Sequence, residues 1–244
     1  MADKKRYAFV IDPRRCIDCR ACLVACRAEW NTPSGQTRIW VHSDGPKGQF
    51  PNLSQAFTPA QCHHCEDPWC VAACPTGATF KRDDGLVLID EEACIGCGLC
   101  VNACPYQARF RNLETGKADK CSACFHRVEA GEMPACVATC IGGARLFGDL
   151  NNPESTVSKA IAGKAIYRPI TNEVNTLPMT LYLSPPEGTA VQITPQPRPP
   201  VPAETFWRDI ALPVVKAAIA LAFGGQALAF VFQLLKGENE YEEA

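Results

Sequence analysis

The chain has 244 residues and a formal net charge of −2, with 47% hydrophobic and 20% charged residues. This composition is typical of a globular protein and excludes an intrinsically disordered chain, and the small net charge provides no basic field that would attract nucleic acid. The 16 cysteines are unusual, because a chain of this length can bury a hydrophobic core without the disulfides that small secreted proteins need. They therefore require a chemical explanation.

The cysteines form four groups of four in chain order, with none left over. The groups occupy residues 16–26, 62–74, 94–104 and 121–140. The first is a C-x2-C-x2-C-x3-C run, and the third repeats its spacing. The fourth is divided by an eleven-residue insertion between Cys124 and Cys136.

The spacing of the first and third groups predicts iron–sulfur chemistry. Three thiols at i, i+3 and i+6 lie on one tight loop, which suits three corners of a cubane cluster. The cysteine that closes such a run lies at the start of a helix, and in two-cluster ferredoxins it ligates the other cluster. We therefore expect pairs of clusters that exchange their fourth ligands, and 16 cysteines at four per cluster predict four [4Fe–4S] clusters.

Zinc and disulfides are the alternatives. Structural zinc usually takes two cysteine pairs separated by a dozen or more residues, and only the fourth group fits that pattern. Disulfides between cysteines this crowded would leave many unpaired, and no signal peptide directs the chain to a disulfide-forming compartment. The spacing therefore favours iron–sulfur clusters.

An internal repeat extends beyond the cysteines. Residues 94–104 (CIGCGLCVNAC) match residues 16–26 (CIDCRACLVAC) at six of eleven positions. Upstream, residues 9–12 and 87–90 are apolar, strand-like runs that end in Asp four residues before the first cysteine. Each unit predicts a short strand, a cluster-binding loop and then a helix. The predicted fold class is α+β, with duplicated bacterial-ferredoxin-like domains and long loops, plus a C-terminal transmembrane helix. We expect the four-cluster ferredoxin-like domain to occupy residues 1–150.

The four-motif order, residues 64–70 (HCEDPWC) and the endings Cys74-Pro75 and Cys104-Pro105 carry a family resemblance. Residues 5–150 resemble the four-cluster iron–sulfur subunits of membrane-bound molybdopterin oxidoreductases, such as dimethyl-sulfoxide, polysulfide and tetrathionate reductases and formate dehydrogenases. The subunits of some nickel–iron hydrogenases look similar.

The resemblance implies that the two inner groups pair with each other and the two outer groups pair with each other. On this pattern the inner pair consists of one cluster on Cys62, Cys65, Cys70 and Cys104 and another on Cys94, Cys97, Cys100 and Cys74. The outer pair consists of one cluster on Cys16, Cys19, Cys22 and Cys140 and another on Cys121, Cys124, Cys136 and Cys26.

Other polar residues near the cysteines are assigned supporting roles. We expect the outer pair, which has more basic neighbours, to differ in potential from the inner pair, since nearby cations raise the potential of a cluster. These neighbours are Arg14, Arg15, Arg20, Arg27, Lys120 and Arg127. The alternative is that these residues are ordinary surface charges. The histidines beside cysteines (His63, His64 and His126) are expected to pack or donate hydrogen bonds, because every cluster already has four thiolates. No catalytic constellation or phosphate-binding loop is present, so we expect a non-catalytic subunit.

The second half of the chain has a different composition. Residues 151–205 are rich in proline, and we expect an extended segment that docks on the core or on partners. Residues 206–236 are predicted to be a transmembrane helix, because residues 217–235 carry no charge and span about 28 Å as a helix. Phe206 and Trp207 lie where an interfacial aromatic belt would be. Residues 237–244 form an acidic tail, and a buried globular helix is the alternative for the apolar segment.

These observations predict an electron-transfer subunit. It would relay electrons through four clusters between a molybdopterin-containing catalytic subunit and an integral membrane subunit that binds quinone or haem. The predicted location is the cell (inner) membrane, with a single-pass C-terminal anchor and the cluster domain on the periplasmic (outer) face. The alternatives are the relay of a membrane-bound nickel–iron hydrogenase and, from another class, a zinc-stabilised membrane-anchored interaction module.

Overall fold

The computed structural model describes residues 4–43, 45–169, 175–183 and 211–236. The chain divides into two units, residues 1–197 and residues 198–244. Within the described residues, the first unit consists of short strands and short helices, and the second contains one long helix.

The main sheet of the first unit has four strands in the order β10-β1-β12-β11. These strands are β1 (Tyr7–Ile11), β10 (Arg145–Asp149), β11 (Ile166–Tyr167) and β12 (Thr180–Leu183). β1 runs antiparallel to β10 and parallel to β12. Because successive residues of a strand face opposite sides, Phe9 packs into a cluster with Cys22, Cys26 and Cys136, whereas Val10 packs on the other side with Val157 and Leu181.

The remaining strands form four antiparallel pairs. The pairs are β2 (Ile39–Ser43) with β5 (Phe57–Gln61), β3 (Lys47–Gln49) with β4 (Asn52–Ser54), β6 (Thr79–Lys81) with β7 (Val87–Ile89), and β8 (Arg109–Arg111) with β9 (Ala118–Lys120). The chain therefore passes repeatedly from a cysteine-bearing loop into a short hairpin strand.

Helices of the cysteine groups pack in two pairs. The helices of the first unit are α1 (Ala21–Trp30), α2 (Trp69–Ala72), α3 (Leu99–Asn102), α4 (Phe125–Glu129), α5 (Ala135–Ala138) and α6 (Thr156–Ile161). α1 of the first group packs on α5 of the fourth group, and α2 of the second group packs on α3 of the third. The outer groups thus adjoin each other, and so do the inner groups.

The repeated loops share an unusual backbone conformation. Asp18 and Arg20 in the first group and Gly96 and Gly98 at the equivalent positions of the third all have positive φ. The left-handed region allows the tight turns that bring successive thiols onto one side of a loop. At Gly96 a side chain is also excluded by contact, because an added Cβ would meet the backbone carbonyl oxygen of Gly116.

Replacing Gly96 with alanine is expected to destabilise the folded protein by about 2 kcal/mol or more, because backbone strain adds to this clash. Gly98→Ala is the matched control: Gly98 also has positive φ, but no atom lies within 4 Å of its added Cβ, so only about 1 kcal/mol is expected. Guanidinium unfolding, followed by cluster absorbance and circular dichroism, measures both. Equal stability of the two variants would contradict the proposed clash.

The chain beyond residue 150, where the sequence placed the end of the cluster-binding domain, continues to build the first unit. α6 packs on β1 and β10, and β12 adds a strand to the main sheet. Leu181, Tyr182 and Leu183 are buried, with at most 3% of their surface exposed. Residues 184–210, which include most of the prolines of the 151–205 segment and the aromatic residues Phe206 and Trp207, lie outside the described residues.

The described part of the second unit is the helix α7 (Leu212–Lys236). Residues Leu212–Phe232 are the one stretch among the described residues that is long and apolar enough to cross a membrane, judged by length and composition. None of that stretch is buried within the structure. The expected helix is therefore present as an exposed, apolar C-terminal element.

Candidate iron–sulfur sites

All sixteen cysteines are free thiols in the structure, and none forms a disulfide. Within the described residues, no three His, Cys, Asp or Glu side chains converge closely enough to hold a single metal ion. A tetrahedral zinc site with Zn–S bonds of about 2.3 Å would need such convergence. The cysteine side chains that line the cavities described below offer thiol donors, which are the ligands of iron–sulfur clusters.

One cavity brings together the cysteines of the first group and the last cysteine of the fourth. Cys16, Cys19, Cys22 and Cys140 all line it. Cys140 follows α5, and the packing of α5 on α1 carries this thiol back to the first loop. These four residues are one of the sets implied by the family resemblance.

A second cavity has the same arrangement in the inner groups. Cys62, Cys65, Cys70 and Cys104 line it, and Cys104 follows α3. The Thr176 hydroxyl donates a hydrogen bond to Cys65 Sγ at 3.1 Å. Sequence reasoning missed Thr176, which lies in the segment that precedes β12 and reaches the cavity through the tertiary structure.

The third implied set is gathered around α1 and α5. Burial raises the pKa of the Cys26 thiol, and the nearby Cys121, Cys136 and Cys124 thiolates raise it further. Trp30 Nε1 donates a hydrogen bond to Cys124 Sγ at 3.3 Å. Trp30 therefore contacts this set directly.

The fourth implied set consists of Cys94, Cys97, Cys100 and Cys74. The packing of α2, which precedes Cys74, on α3, which contains Cys100, is the contact that relates them. Burial raises the pKa of the Cys74 thiol, but hydrogen bonds from the Thr79 amide and from Thr76 outweigh this effect and lower the pKa to about 7. Cys74 is thereby prepared to act as a thiolate ligand.

Four further thiols have a pKa that is raised well above its usual value. Burial, reinforced by neighbouring thiolates, raises the pKa of Cys65 to about 12 and that of Cys104 to about 11. Burial likewise raises the pKa of Cys121 to about 11 and that of Cys136 to about 12. Iron would have to displace these protons, so assembly of the sites is coupled to proton release.

Comparison with known proteins supports this chemistry. Residues 15–79 and residues 53–150 each match a family described as a 4Fe-4S dicluster domain. Together the two matched segments contain all 16 cysteines, which is consistent with four [4Fe–4S] clusters.

Curated relatives identify the family. The chain is 47% identical over 156 residues to the tetrathionate reductase B subunit of Salmonella typhimurium, covering 64% of this chain but only 62% of that protein. It is 40% identical to the putative dimethyl sulfoxide reductase iron-sulfur B subunit of Halobacterium salinarum, over 73% of this chain and 79% of that protein. It is 41% identical to the thiosulfate reductase electron transfer subunit PhsB of Salmonella typhi, over 67% of this chain and 85% of that protein. The chain belongs to the iron–sulfur subunits of molybdopterin oxidoreductases.

Most of the basic residues that the sequence placed near the cysteines of this iron–sulfur subunit are exposed or paired with carboxylates, although Arg15 and Arg20 line the cavity that contains Cys16. Arg14 pairs with Asp12, Arg20 with Asp18, and Arg127 with Glu29 and Glu132. Arg15 and Arg27 are exposed. Of the six, only Lys120 is buried, and its ammonium group donates to the carbonyl oxygens of Cys121 and Val87.

Three buried arginines were missed because burial cannot be read from their positions in the sequence. Arg38, Arg109 and Arg145 are 6%, 3% and 1% exposed. Arg38 forms an ion pair with Asp119 at 2.7 Å. Arg109 lines the cavity that contains Cys62, and Arg145 lines the cavity that contains Cys16. The C-x3-A-R pattern shared by residues 104–109 and 140–145 was the available sequence signal.

The histidines of the iron–sulfur subunit occupy two kinds of environment. His63 and His64 are buried, and burial lowers the pKa of His63 to about 3 and that of His64 well below its usual value, so both are neutral. His64 Nδ1 accepts a hydrogen bond from the Val87 amide at 3.0 Å. His126, by contrast, is partly exposed and contacts Glu29 at 2.7 Å.

Proposed function

We propose that this subunit conducts single electrons between a molybdopterin-containing catalytic subunit and an integral membrane subunit that binds quinone or haem. The observation that carries the proposal is the lining of two cavities, each of which combines three cysteines of one group with the last cysteine of another. When bound, the clusters supply one-electron acceptors and donors. The protein contributes thiolate ligands, burial and nearby hydrogen-bond donors.

Each ligand set of the proposal combines the first three cysteines of one group with the last cysteine of its partner group. The outer pair uses Cys16, Cys19, Cys22 and Cys140, and Cys121, Cys124, Cys136 and Cys26. The inner pair uses Cys62, Cys65, Cys70 and Cys104, and Cys94, Cys97, Cys100 and Cys74. Mutual packing of the helices that carry or precede the exchanged cysteines supports this crossed arrangement.

Electrons are proposed to enter and leave this subunit at two exposed loops. Cys19 and Cys97 are the exposed members of the 16 cysteines. Ile17, with 61% of its surface exposed, lies near Cys19, and Ile95, with 67% exposed, lies near Cys97. Exposed apolar side chains at a cofactor suit a dry protein interface, and electrons must enter and leave where a cluster comes close to a partner.

The membrane attachment is likewise a proposal. α7 is apolar and its described side chains from 213 to 226 and from 228 to 232 are exposed, which suits a single-pass anchor in the cell membrane. Its small residues Ala218, Ala222, Gly225 and Ala229 recur on one face and would permit close packing on a helix of the membrane subunit. The outer-face location of the cluster-binding unit remains a prediction from the family resemblance.

The test is the metal content of the native assembly. Anaerobically purified protein should contain about 16 irons and as many acid-labile sulfides per chain, and coulometric reduction should take up about four electrons. Complexes isolated from membranes through a tag on this chain should contain molybdenum or tungsten. Nickel in their place would favour the hydrogenase relay, and colourless protein with zinc would contradict the relay altogether.

A further inference from the structure

Two buried arginines occupy equivalent positions in the two pairs of cysteine groups. Arg109 lies five residues after Cys104, and Arg145 lies five residues after Cys140. Each is the first residue of a strand, β8 or β10. Each also lines the cavity that contains the cysteine it follows. The repeated backbone thus delivers one buried guanidinium group to each cavity.

Arg145 has donors without acceptors. Its Nη1 donates to Gln61 Oε1 and its charge lies near the Cys136 and Cys22 thiols, but its Nε and Nη2 have no partner with hydrogen-bond geometry among the described residues. No carboxylate pairs with it in the described part of the chain, and Gln61 is itself fully buried. A buried guanidinium with unsatisfied N–H groups is strongly disfavoured. The cavity shared with Cys16 and Cys22 is therefore expected to contain an acceptor.

Arg109 repeats this arrangement in the inner pair. Its Nη2 donates to Thr79 Oγ1 at 3.1 Å, whereas its Nε and Nη1 have no partner among the described residues. Its guanidinium lies near enough to Cys70 to favour that thiolate. Each of the two sites therefore has its own cavity, lined by four cysteines and by a buried arginine with two nitrogen donors that lack a partner.

The other two groups place neutral residues at the equivalent position. Thr79 lies five residues after Cys74, and Asn31 lies five residues after Cys26. Arg15 and Arg20 also line the cavity that contains Cys16, but both are exposed, and Arg20 is paired with Asp18. Burial and the absence of a pairing carboxylate therefore distinguish Arg109 and Arg145 from the arginines that lie nearest to cysteines in the sequence.

We propose that Arg109 and Arg145 each donate hydrogen bonds to the cluster in their cavity and raise its reduction potential. Reduction adds one negative charge to a cluster, and a buried cation stabilises that charge with little solvent screening. The two arginines thus make two clusters easier to reduce. One is the cluster on Cys16, Cys19, Cys22 and Cys140, and the other is the cluster on Cys62, Cys65, Cys70 and Cys104. The inference rests on the ligand sets proposed above.

The test is a potentiometric titration of the holoprotein monitored by electron paramagnetic resonance. In Arg145→Gln and in Arg109→Gln, one of the four midpoint potentials should shift to a more negative value while iron remains at the wild-type level. Arg145→Lys retains the charge, so its midpoint potential should return most of the way to the wild-type value. Arg27→Gln is the control, because Arg27 is exposed and lines neither cavity, and it should leave all four midpoints unchanged.

Gln61→Glu provides a second variant that keeps the arginine in place. The isosteric carboxylate would pair with Arg145 and offset its charge, so the same midpoint should shift negatively as in Arg145→Gln. If Arg145→Gln fails to assemble, Gln61→Glu and Arg145→Lys decide the question.

The inference is overturned if loaded Gln61→Glu or Arg145→Gln protein has wild-type midpoints, or if Arg27→Gln shifts them equally. Such results would leave the relay itself intact, because the wild-type iron and sulfide content tests the proposed function separately. A wild-type chain without iron would instead contradict the proposed function.

Discussion

Cys140→Ala is expected to abolish the same cluster signal that Cys16→Ala abolishes, although the two residues are 124 positions apart in the chain. Both thiols line one cavity, so each variant removes one ligand from a single proposed site. Iron should fall from about 16 to about 12 per chain in either variant. Low-temperature electron paramagnetic resonance of the reduced proteins identifies the lost signal.

Cys121→Ala is the matched control for this experiment. Cys121 and Cys140 belong to the same sequence group, but Cys121 lies with Cys26, Cys124 and Cys136. Its loss should therefore remove a different signal. If Cys140→Ala and Cys121→Ala lose the same signal while Cys16→Ala loses another, the ligands are not exchanged between groups, and the proposed crossed pairing is wrong.

Two shortened chains are expected to behave in opposite ways. Residues 1–205, which lack α7, should form a soluble protein that retains the iron of the full chain, because the cysteines and the main sheet lie in the unit formed by residues 1–197. Residues 1–174 should fail to fold stably. This shorter chain lacks β12, whose residues Leu181, Tyr182 and Leu183 are buried in the first unit.

The size of the second effect follows from burial. Fully burying a large apolar side chain contributes about 1.5–3 kcal/mol, so the loss of these three side chains removes about 5 kcal/mol or more, comparable with the stability of many whole domains. The hydrogen bonds from Tyr182 to Pro59 and from Thr176 to Cys65 are retained in the longer chain and are lost from the shorter one, which ends before both donors.

Iron content, solubility without detergent and thermal unfolding measure both chains. Loss of iron from residues 1–205 would show that the C-terminal unit supports the clusters. A full-length chain that stays soluble without detergent and does not partition into membranes would contradict the anchor. A stable, iron-loaded protein from residues 1–174 would contradict the structural role of β12.

The chemistry of the cysteines could be predicted from the sequence because it depends on local spacing. Three thiols within seven residues can reach one cluster only through a tight loop, whatever the remainder of the chain does. The repeat of residues 16–26 at 94–104 likewise indicated a duplicated unit, and the two loops share left-handed residues at equivalent positions. The uncharged stretch of residues 217–235 predicted the C-terminal apolar helix for the same local reason.

The environment of the cysteines depended on contacts between distant segments. Arg14, Arg20 and Arg127 neighbour cysteines in sequence, yet the structure pairs them with carboxylates. Arg109 and Arg145 are buried beside the cavities. A residue's distance from a thiol along the chain says little about its solvation, because burial is decided by the elements that pack over it.

The sequence by itself determined the cofactor type, the number of cysteines available and the helix at the C-terminus, since each follows from residues that are close together in the chain. Only the tertiary structure decided which thiols share a cavity, which cationic side chains are buried and how β12 pairs with β1. These depend on pairing between segments more than 100 residues apart, such as Phe9 with Thr180 and Cys22 with Cys140. Such pairing is set by the packing of whole elements and leaves little trace in local spacing.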